Sequence, residues 1–483
     1  MFIVSKIKNI IPLSFFCLLS CVSTQAPDIG PGPLRVHPGN PRYFTDNSGR
    51  AIYLTGSHTW SNLQEISDKS IEPFDYGVYL DFLEEYNHNF TRLWLWEHAS
   101  RANWAPDTAR IKFGPTLPYP RTGPGLCLDS LPRFDLSRFN QAHFDRLRLR
   151  VEAADTRGIY VMVMLFQGFS IEKKDSEKTS RGNPWLGHPM NRANNINGID
   201  GDTDGNGQGG EVHTLVNHEV TRLQKAYIEK VVDTVNDLDN VLYEISNESG
   251  PESTQWQYEM IDYIHEYERS KPKQHPVVMT FQWPGGKNED LFSSPAEAVS
   301  PNAGENEEYR GDPPASDGAK VILADTDHLW GIGGNAVWVW KSFLRGLNPI
   351  FMDPIRRIHH YPSEKNTPSH PEWESIRKNM GYTLEFAERM DLAHMKPVND
   401  LASSGYCLAG HEADSAEYLV YLPEGGTVTV DLSATPGELT VQWFDPASGT
   451  ITDTWTDQGG TANKSFTAPF EGDAVLYISR AIE

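Results

Sequence analysis

In Asn240-Val-Leu-Tyr-Glu-Ile-Ser-Asn-Glu248-Ser-Gly250, an apolar run ends in an Asn-Glu pair. A buried parallel strand reads as a short apolar or β-branched run, and its C-terminal end is where a barrel of alternating strands and helices places its chemistry. A carboxyl partly desolvated at such a mouth has a raised pKa and can donate a proton near neutral pH. Glu248 is therefore a candidate proton donor, with Asn247 placed to orient it or a substrate hydroxyl. The competing reading is an acid that favours the N-terminus of the next helix.

Protonating a glycosidic oxygen calls for a second carboxyl facing the first across the anomeric carbon. Val321-Ile-Leu323 runs into Asp325-Thr-Asp327-His328-Leu-Trp330-Gly. Asp325 is the first choice because it directly follows the apolar run; Asp327 is second, and Glu97 is a third candidate. Two more loops, Gly56-Ser-His58-Thr-Trp60 and Arg92-Leu-Trp94-Leu-Trp96-Glu97-His98, are rich in polar and aromatic groups. With His328 and Trp330 they offer His58, Trp60, Trp96, Glu97 and His98 as a pocket lining. Each has a structural alternative. The two aspartates can cap a helix or bind a cation, His58 can be a satisfied buried histidine, and Arg92 can pair with a carboxylate beneath the site.

Between the third and fourth expected strands lies Asp200-Gly-Asp202-Thr-Asp204-Gly205-Asn-Gly-Gln-Gly-Gly-Glu211. Asp200, Asp202, Asp204 and Glu211 follow the oxygen-rich spacing of a calcium loop. Gly207 replaces the usual apolar residue and no clear helix pair flanks the loop, which argues against an EF-hand. A lone structural Ca²⁺ or a Gly-rich acidic excursion are the two readings left. Upstream, Gly187-His-Pro-Met-Asn191-Arg-Ala-Asn-Asn195-Ile-Asn197 is dense in amides that can bind hydroxyls or make tight turns, and Asn195 is a candidate substrate ligand. The proposed chemistry requires no cofactor.

The elements that must position these groups alternate. Apolar runs at 51–56, 89–96, 159–166, 241–246, 276–281, 296–300, 320–324 and 349–352 read as strands, the sixth being weakest. Helical stretches fall at 75–86, 141–157, 217–236, 254–268 and 336–345. Eight such units predict an α/β fold, a (β/α)8 TIM barrel over 34–397. No Gly-rich phosphate loop follows an early strand, so nucleotide binding loses its support. From 398 to 483, short alternating runs separated by Gly, Pro, Asn and Asp turns predict a small all-β sandwich.

A net charge of −23 argues against nucleic-acid binding, which needs clustered cations. It leaves a neutral ligand such as a sugar open, and the 13 Trp and 19 Tyr supply flat faces suited to pyranose rings. Residues 1–21 read as a lipoprotein signal peptide, with an ordinary secretory signal cleaved nearby as the alternative: Lys6 and Lys8 precede an apolar stretch too short to span a bilayer, and Leu18-Leu19-Ser20-Cys21 resembles a lipobox. Residues 22–33 read as a tether. The expected locality is the bacterial cell envelope, with a lipid anchor on Cys21 joining the protein to a membrane. Cys127 and Cys407 are left beyond the signal, either paired or free. Neither His-Glu-x-x-His nor Gly-x-Ser-x-Gly is present, which removes the common metal and serine protease machinery.

Several stretches together resemble a bacterial family related to the apiosidase-type glycoside hydrolases, within the clan of (β/α)8 retaining glycosidases. They are His37-Pro-Gly-Asn-Pro-Arg-Tyr-Phe-Thr-Asp46, Tyr53-Leu-Thr-Gly-Ser-His-Thr-Trp60, Thr280-Phe-Gln-Trp-Pro284 and Asp325-Thr-Asp-His-Leu-Trp-Gly331. The C-terminal stretches Tyr421-Leu-Pro-Glu-Gly-Gly426 and Val441-Gln-Trp-Phe-Asp-Pro446 are similar to a module often labelled collagen-binding, which commonly packs behind sugar-degrading barrels. The resemblance implies a carbohydrate substrate and hydrolysis by two carboxyls, with the acid/base Glu after Asn on the fourth strand mapping onto Asn247-Glu248. It also implies a nucleophilic Glu at the end of the seventh strand. Here the chain departs from that pattern with Asp325-Thr-Asp327, each one methylene shorter. The alternative is a non-catalytic surface protein that binds glycan or matrix on a barrel scaffold.

Overall fold

The structure, a computed structural model, describes residues 31–67, 73–101, 112–114, 116–174, 182–355, 365–410 and 416–480. The expected signal peptide and most of the tether lie outside the described residues. Eight parallel strands form one sheet that curls into a (β/α)8 barrel. They are β1 (Gly56–His58), β2 (Phe90–Leu93), β3 (Tyr160–Gln167), β4 (Val241–Asn247), β5 (Val277–Thr280), β6 (Ala298–Ser300), β7 (Val321–Asp325) and β8 (Asn348–Met352). Around them run α1 (Tyr76–Glu85), α2 (Gln141–Asp155), α3 (His218–Val235), α4 (Thr254–Glu268), α5 (Ala336–Leu344) and α6 (Pro371–Arg389).

All eight expected strands are present, but two are displaced for a visible reason. The run at 51–56 joins the barrel sheet only from Gly56 onward, because the Leu54 and Thr55 N–H groups donate to the side-chain amides of Asn348 and Asn89. The run at 89–96 stops at Leu93, because the Trp94 and Trp96 N–H groups donate to Asn62 and Gln64. Asn89 also seals the seam where β1 meets β2, donating from its backbone N–H to Thr55 at 3.1 Å and from its amide to Tyr53 at 2.8 Å. Gly56 is required at this seam: a Cβ there would lie 2.0 Å from the Phe90 carbonyl oxygen.

Inside the barrel the side-chain period of two builds layers. Phe90, Leu242, Val278, Ala298 and Leu323 cluster with Leu34 and Phe44 of the N-terminal segment, which plugs the floor. Two residues further along the same strands stand Arg92, Glu244, Thr280, Ser300 and Asp325. A polar layer therefore rests directly on an apolar one, at the C-terminal ends of the strands.

The C-terminal region is antiparallel. The strands β9 (Lys396–Pro397), β10 (Cys407–Gly410), β11 (Glu417–Leu422), β13 (Glu438–Asp445), β14 (Thr450–Gln458) and β16 (Ala474–Arg480) make a six-stranded sheet. A second sheet pairs β12 (Thr427–Val430) with β15 (Lys464–Thr467). Val420, Val441, Trp443 and Leu476 pack toward Val428 and Phe466 between the sheets. Leu419, Tyr421, Phe444 and Val475, on the other face, pack against Trp340 and Phe343 of α5 and Leu384 and Phe386 of α6. The indole of Trp340 stacks on Tyr421 with centroids 6.0 Å apart. Cys127 and Cys407 are both free, buried thiols.

Candidate active site

Arg92 is the centre of the polar layer. Fully buried, it donates to Glu244 twice (Nε–Oε2 2.6 Å, Nη2–Oε1 2.5 Å), to Asn247 Oδ1 at 2.7 Å and to Asp327 Oδ2 at 2.8 Å, with Asp325 Oδ2 at 3.5 Å. Burial alone would lower its pKa, but the Glu244 charge and then the aspartates outweigh this and raise it. A guanidinium with its donors in a rigid fork is suited to holding several carboxylates at fixed angles. Glu244, embedded in an apolar strand, had not stood out in the sequence.

The end of β7 separates the roles of its two aspartates. Asp325 Oδ1 accepts from His58 Nε2 and from the Asp327 backbone N–H, both at 2.9 Å. Trp94 Nε1 donates to His58 Nδ1 at 2.8 Å, so His58 carries its proton on Nε2 and aims it at Asp325. Burial would raise the Asp325 carboxyl, yet the pull of His58 and Arg92 holds it well below the usual range. Both its oxygens are engaged, and it caps the short helix Thr326–Leu329. Asp327 sits higher. Burial first, and then the Asp325 charge, push its carboxyl up to about 6 against the opposing pull of Arg92. His328, buried and lowered to about 3 by desolvation and then Arg92, stays neutral between Ser300 Oγ and Asn247 Oδ1.

Glu248 stands where β4 turns outward. It is half-buried, with a left-handed backbone at φ 49°. Burial, followed by the charge of Asp327, raises its carboxyl well above the ordinary range, against Lys174 and Arg92. The ends of β4 and β7 therefore present two carboxyls that each raise the other's pKa, Glu248 well above its ordinary range and Asp327 to about 6. Carboxyls whose environments push their pKa values apart are how one site holds an acid and a base together.

The other sequence candidates fall into groups. His58 and His328 belong to the Arg92 network. Trp60, Trp96 and His98 are buried and pack among aromatic neighbours: the Trp60 indole donates to Met352 Sδ, Trp96 to the Trp60 carbonyl, and His98 Nδ1 meets Ser170 Oγ. Glu97 lies apart from the two aspartates, between His188 and His213. Asn247 was expected to orient the acid or a substrate hydroxyl, but its amide is buried and committed to Arg92, His328 and Gln167. Asn195 is likewise a loop staple, donating to Pro189, Asn191 and Ile199 carbonyls. The turn-forming alternative holds for it.

Trp330 is half-buried and packs edge-on against Trp338. Phe169 and Trp283, also half-buried, stack with centroids 5.6 Å apart just past β3 and β5, and so flank β4. Lys174 reaches the Trp283 carbonyl at 3.0 Å. Phe169 and Lys174 were not singled out from sequence, position just after a strand end being the one signal for Phe169, while Trp283 falls within a stretch that carries the family resemblance without being a site candidate. An apolar cleft of about 350 Å³, open mouth included, lies near Glu97 and His188, between Leu95, Tyr119, Met190 and Tyr227; neither Glu248 nor Asp327 lines it.

In the acidic loop, oxygens of Asp202, Asp204 and Glu211 lie within 4.8 Å of one another. Asp200 is not among them: its carboxyl accepts the Asp202 N–H at 3.3 Å.

Two family models match the chain. Residues 113–282 match "Domain of unknown function (DUF6298)", and residues 398–478 match "Putative collagen-binding domain of a collagenase". A comparison with curated protein sequences finds no match. Among solved structures, a glycoside hydrolase family 5 protein from Bacteroides vulgatus ATCC 8482 is 14% identical, with 93% of each chain covered and a TM-score of 0.57. A structure described as "Glycoside hydrolase" is 12% identical over 93% of this chain and 97% of that one, TM-score 0.56. A "putative glycoside hydrolase" from Bacteroides vulgatus ATCC 8482 is 12% identical over 93% and 82%, TM-score 0.59. At such identities the likeness establishes the shared fold, a (β/α)8 barrel followed by an all-β region.

Proposed function

We propose that this chain is an exported glycoside hydrolase acting on a polysaccharide or oligosaccharide. Glu248 protonates the glycosidic oxygen, and Asp327 is the opposing carboxylate that attacks the anomeric carbon or activates water. The observation that carries this reading is the placement of Glu248 and Asp327 just past the C-terminal ends of β4 and β7, with Asp327 bound to the buried Arg92 and its charge acting on Glu248. Asp327 takes precedence over Asp325, because Asp325 has both oxygens occupied by His58, Arg92 and a backbone N–H. The resemblance to apiosidase-related enzymes and the glycoside hydrolases among the structural neighbours fit the same reading. Carboxyls outnumber cations around Arg92 and Lys174, which favours neutral sugars over uronates.

Screening the purified protein against defined oligosaccharides and aryl glycosides tests the proposal. Cleavage, followed by NMR of the first product anomer, distinguishes retention from inversion. Absence of cleavage, together with binding to a glycan in the same panel, would instead favour a glycan-binding protein. The Asp-for-Glu departure on β7 and the Asp327–Arg92 contact of 2.8 Å speak for that second reading.

We also propose lipid attachment at Cys21, read from the lipobox-like sequence. Labelled palmitate is expected to enter the wild type and not Cys21→Ser; equal labelling of both would reject it. The acidic loop is proposed to take up one Ca²⁺, since Glu211 Oε2 is buried without a hydrogen-bond partner beside Asp202 and Asp204. Calorimetry should show one Ca²⁺ bound, and little or none in Asp202→Ala. No uptake by the wild type would dismiss the site.

A further inference from the structure

Glu97 does not reach the two aspartates, yet it is one of the most heavily hydrogen-bonded carboxylates in the barrel. Its Oε1 accepts the Gln167 N–H at 2.8 Å and meets His213 Nε2 at 3.0 Å, while Oε2 faces His188 Nε2 at 3.4 Å. The Met190 N–H donates to His188 Nδ1, so the His188 proton is on Nε2 and points at Glu97. Burial would raise this carboxyl, but the two histidines hold it far below the usual range. An ionised Glu97 is acceptor-only, which draws the His213 proton to Nε2.

The line continues. His213 Nδ1 lies 2.8 Å from Ser249 Oγ, which lies 2.5 Å from Ser246 Oγ. The imidazole is held face-on against Trp256, centroids 4.5 Å apart and planes 12° from parallel. With Nδ1 left as acceptor, Ser249 donates to it and Ser246 donates to Ser249. A serine, histidine and carboxylate in sequence suggest a nucleophile, but Ser249 is fully buried. No substrate carbonyl can approach it.

Ser249 is joined directly to Glu248 in the chain. Glu248 holds a left-handed conformation, which typically costs a non-glycine residue about 1–3 kcal/mol unless its surroundings enforce it. Gly168 closes one side of that turn, since a Cβ there would meet the Glu248 carbonyl oxygen at 2.2 Å. Ser249, next in the chain to Glu248, is pinned through His213 and Ser246. We propose that Glu97, His213 and Ser249 form a positioning chain that locks the left-handed turn at Glu248 and so aims its carboxyl at the substrate. The inference rests on Glu248 being the acid proposed above. It also gives the long insert between β3 and α3 a task, because His213 arrives on the short helix Gly210–His213 at the end of that insert.

Ser249→Ala deletes one hydroxyl and is expected to keep the fold at a modest cost in stability, as a cooperative melting transition somewhat below that of the wild type will show. On an aryl glycoside cleaved by the wild type, kcat is expected to fall about 10- to 100-fold with KM nearly unchanged, as misplacing a catalytic group does. The alkaline limb of the pH profile, set by Glu248, should shift as well. Ser249→Cys, near-isosteric with a weaker donor, should fall between. Glu97→Gln should mimic Ser249→Ala. Wild-type kcat and pH profile in Ser249→Ala, with Glu248→Gln inactive, would overturn the positioning role alone. If the wild type cleaves nothing, the functional reading has failed separately. Crystals of wild type and Ser249→Ala then decide: Glu248 relaxing to negative φ supports the lock, and an unmoved Glu248 refutes it.

Discussion

Glu248→Gln is expected to lower turnover of a natural glycan by about 10²–10⁴-fold, the usual contribution of a positioned general acid, while leaving KM nearly unchanged. The amide has the shape of the acid and cannot supply its proton. The leaving group gives a sharper test. A nitrophenolate departs without protonation, so the deficit should shrink on dinitrophenyl glycosides and remain large on alkyl ones. In the wild type the rate should rise as Asp327 ionises around pH 6 and fall as the raised Glu248 carboxyl loses its proton at higher pH. The variant should lose the alkaline limb and keep the acid one. An unchanged bell in Glu248→Gln, or wild-type turnover on alkyl glycosides, would remove Glu248 from the chemistry.

The barrel was legible because most of its strands lie within short runs rich in apolar and β-branched residues. Period and punctuation sufficed even for three-residue β6, whose Ala298–Ser300 is half the length of a usual strand. The errors have one cause. Strand ends at 54–55 and 94–96 looked like strand because their side chains are apolar or β-branched, but the N–H groups of Leu54, Thr55, Trp94 and Trp96 go to Asn348, Asn89, Asn62 and Gln64. A side-chain amide far away in sequence terminates these strands, and no local pattern encodes that.

The site divides in the same way. Asn247-Glu248 and Asp325-Thr-Asp327 were visible as polar residues closing apolar runs, a local signal. The Arg92–Glu244 pair spans 152 positions, and Glu244 stands in mid-strand where composition alone suggests a buried apolar neighbour. Asn195 and Asn247 show the converse. Amides suit hydroxyls and tight turns equally well, and only the surrounding carbonyls decide which. The distinction between Asp325 and Asp327 was likewise invisible, since it depends on His58 arriving from β1 with its proton already directed by Trp94.

Arg92→Met should be the most damaging single substitution for stability. The side chain is of similar length and apolar, so the loss is mainly of charge. Glu244, Asp325 and Asp327 would be left buried around a missing guanidinium. Removing one partner of a buried ion pair costs about 3–5 kcal/mol, because the other charge is stranded without solvent or counter-ion. The stranded carboxyls answer by binding protons, and their folded-state pKa values rise above the unfolded ones. A group shifted in that direction keeps its stability below its unfolded pKa and loses it as pH climbs through the folded value. The melting temperature of Arg92→Met should therefore fall furthest below wild type at pH 8 and approach it on acidification toward pH 5. Melting curves of both proteins across that range test the claim. A small deficit, or one that does not change with pH, would mean that Arg92 is not the charge holding the rim together.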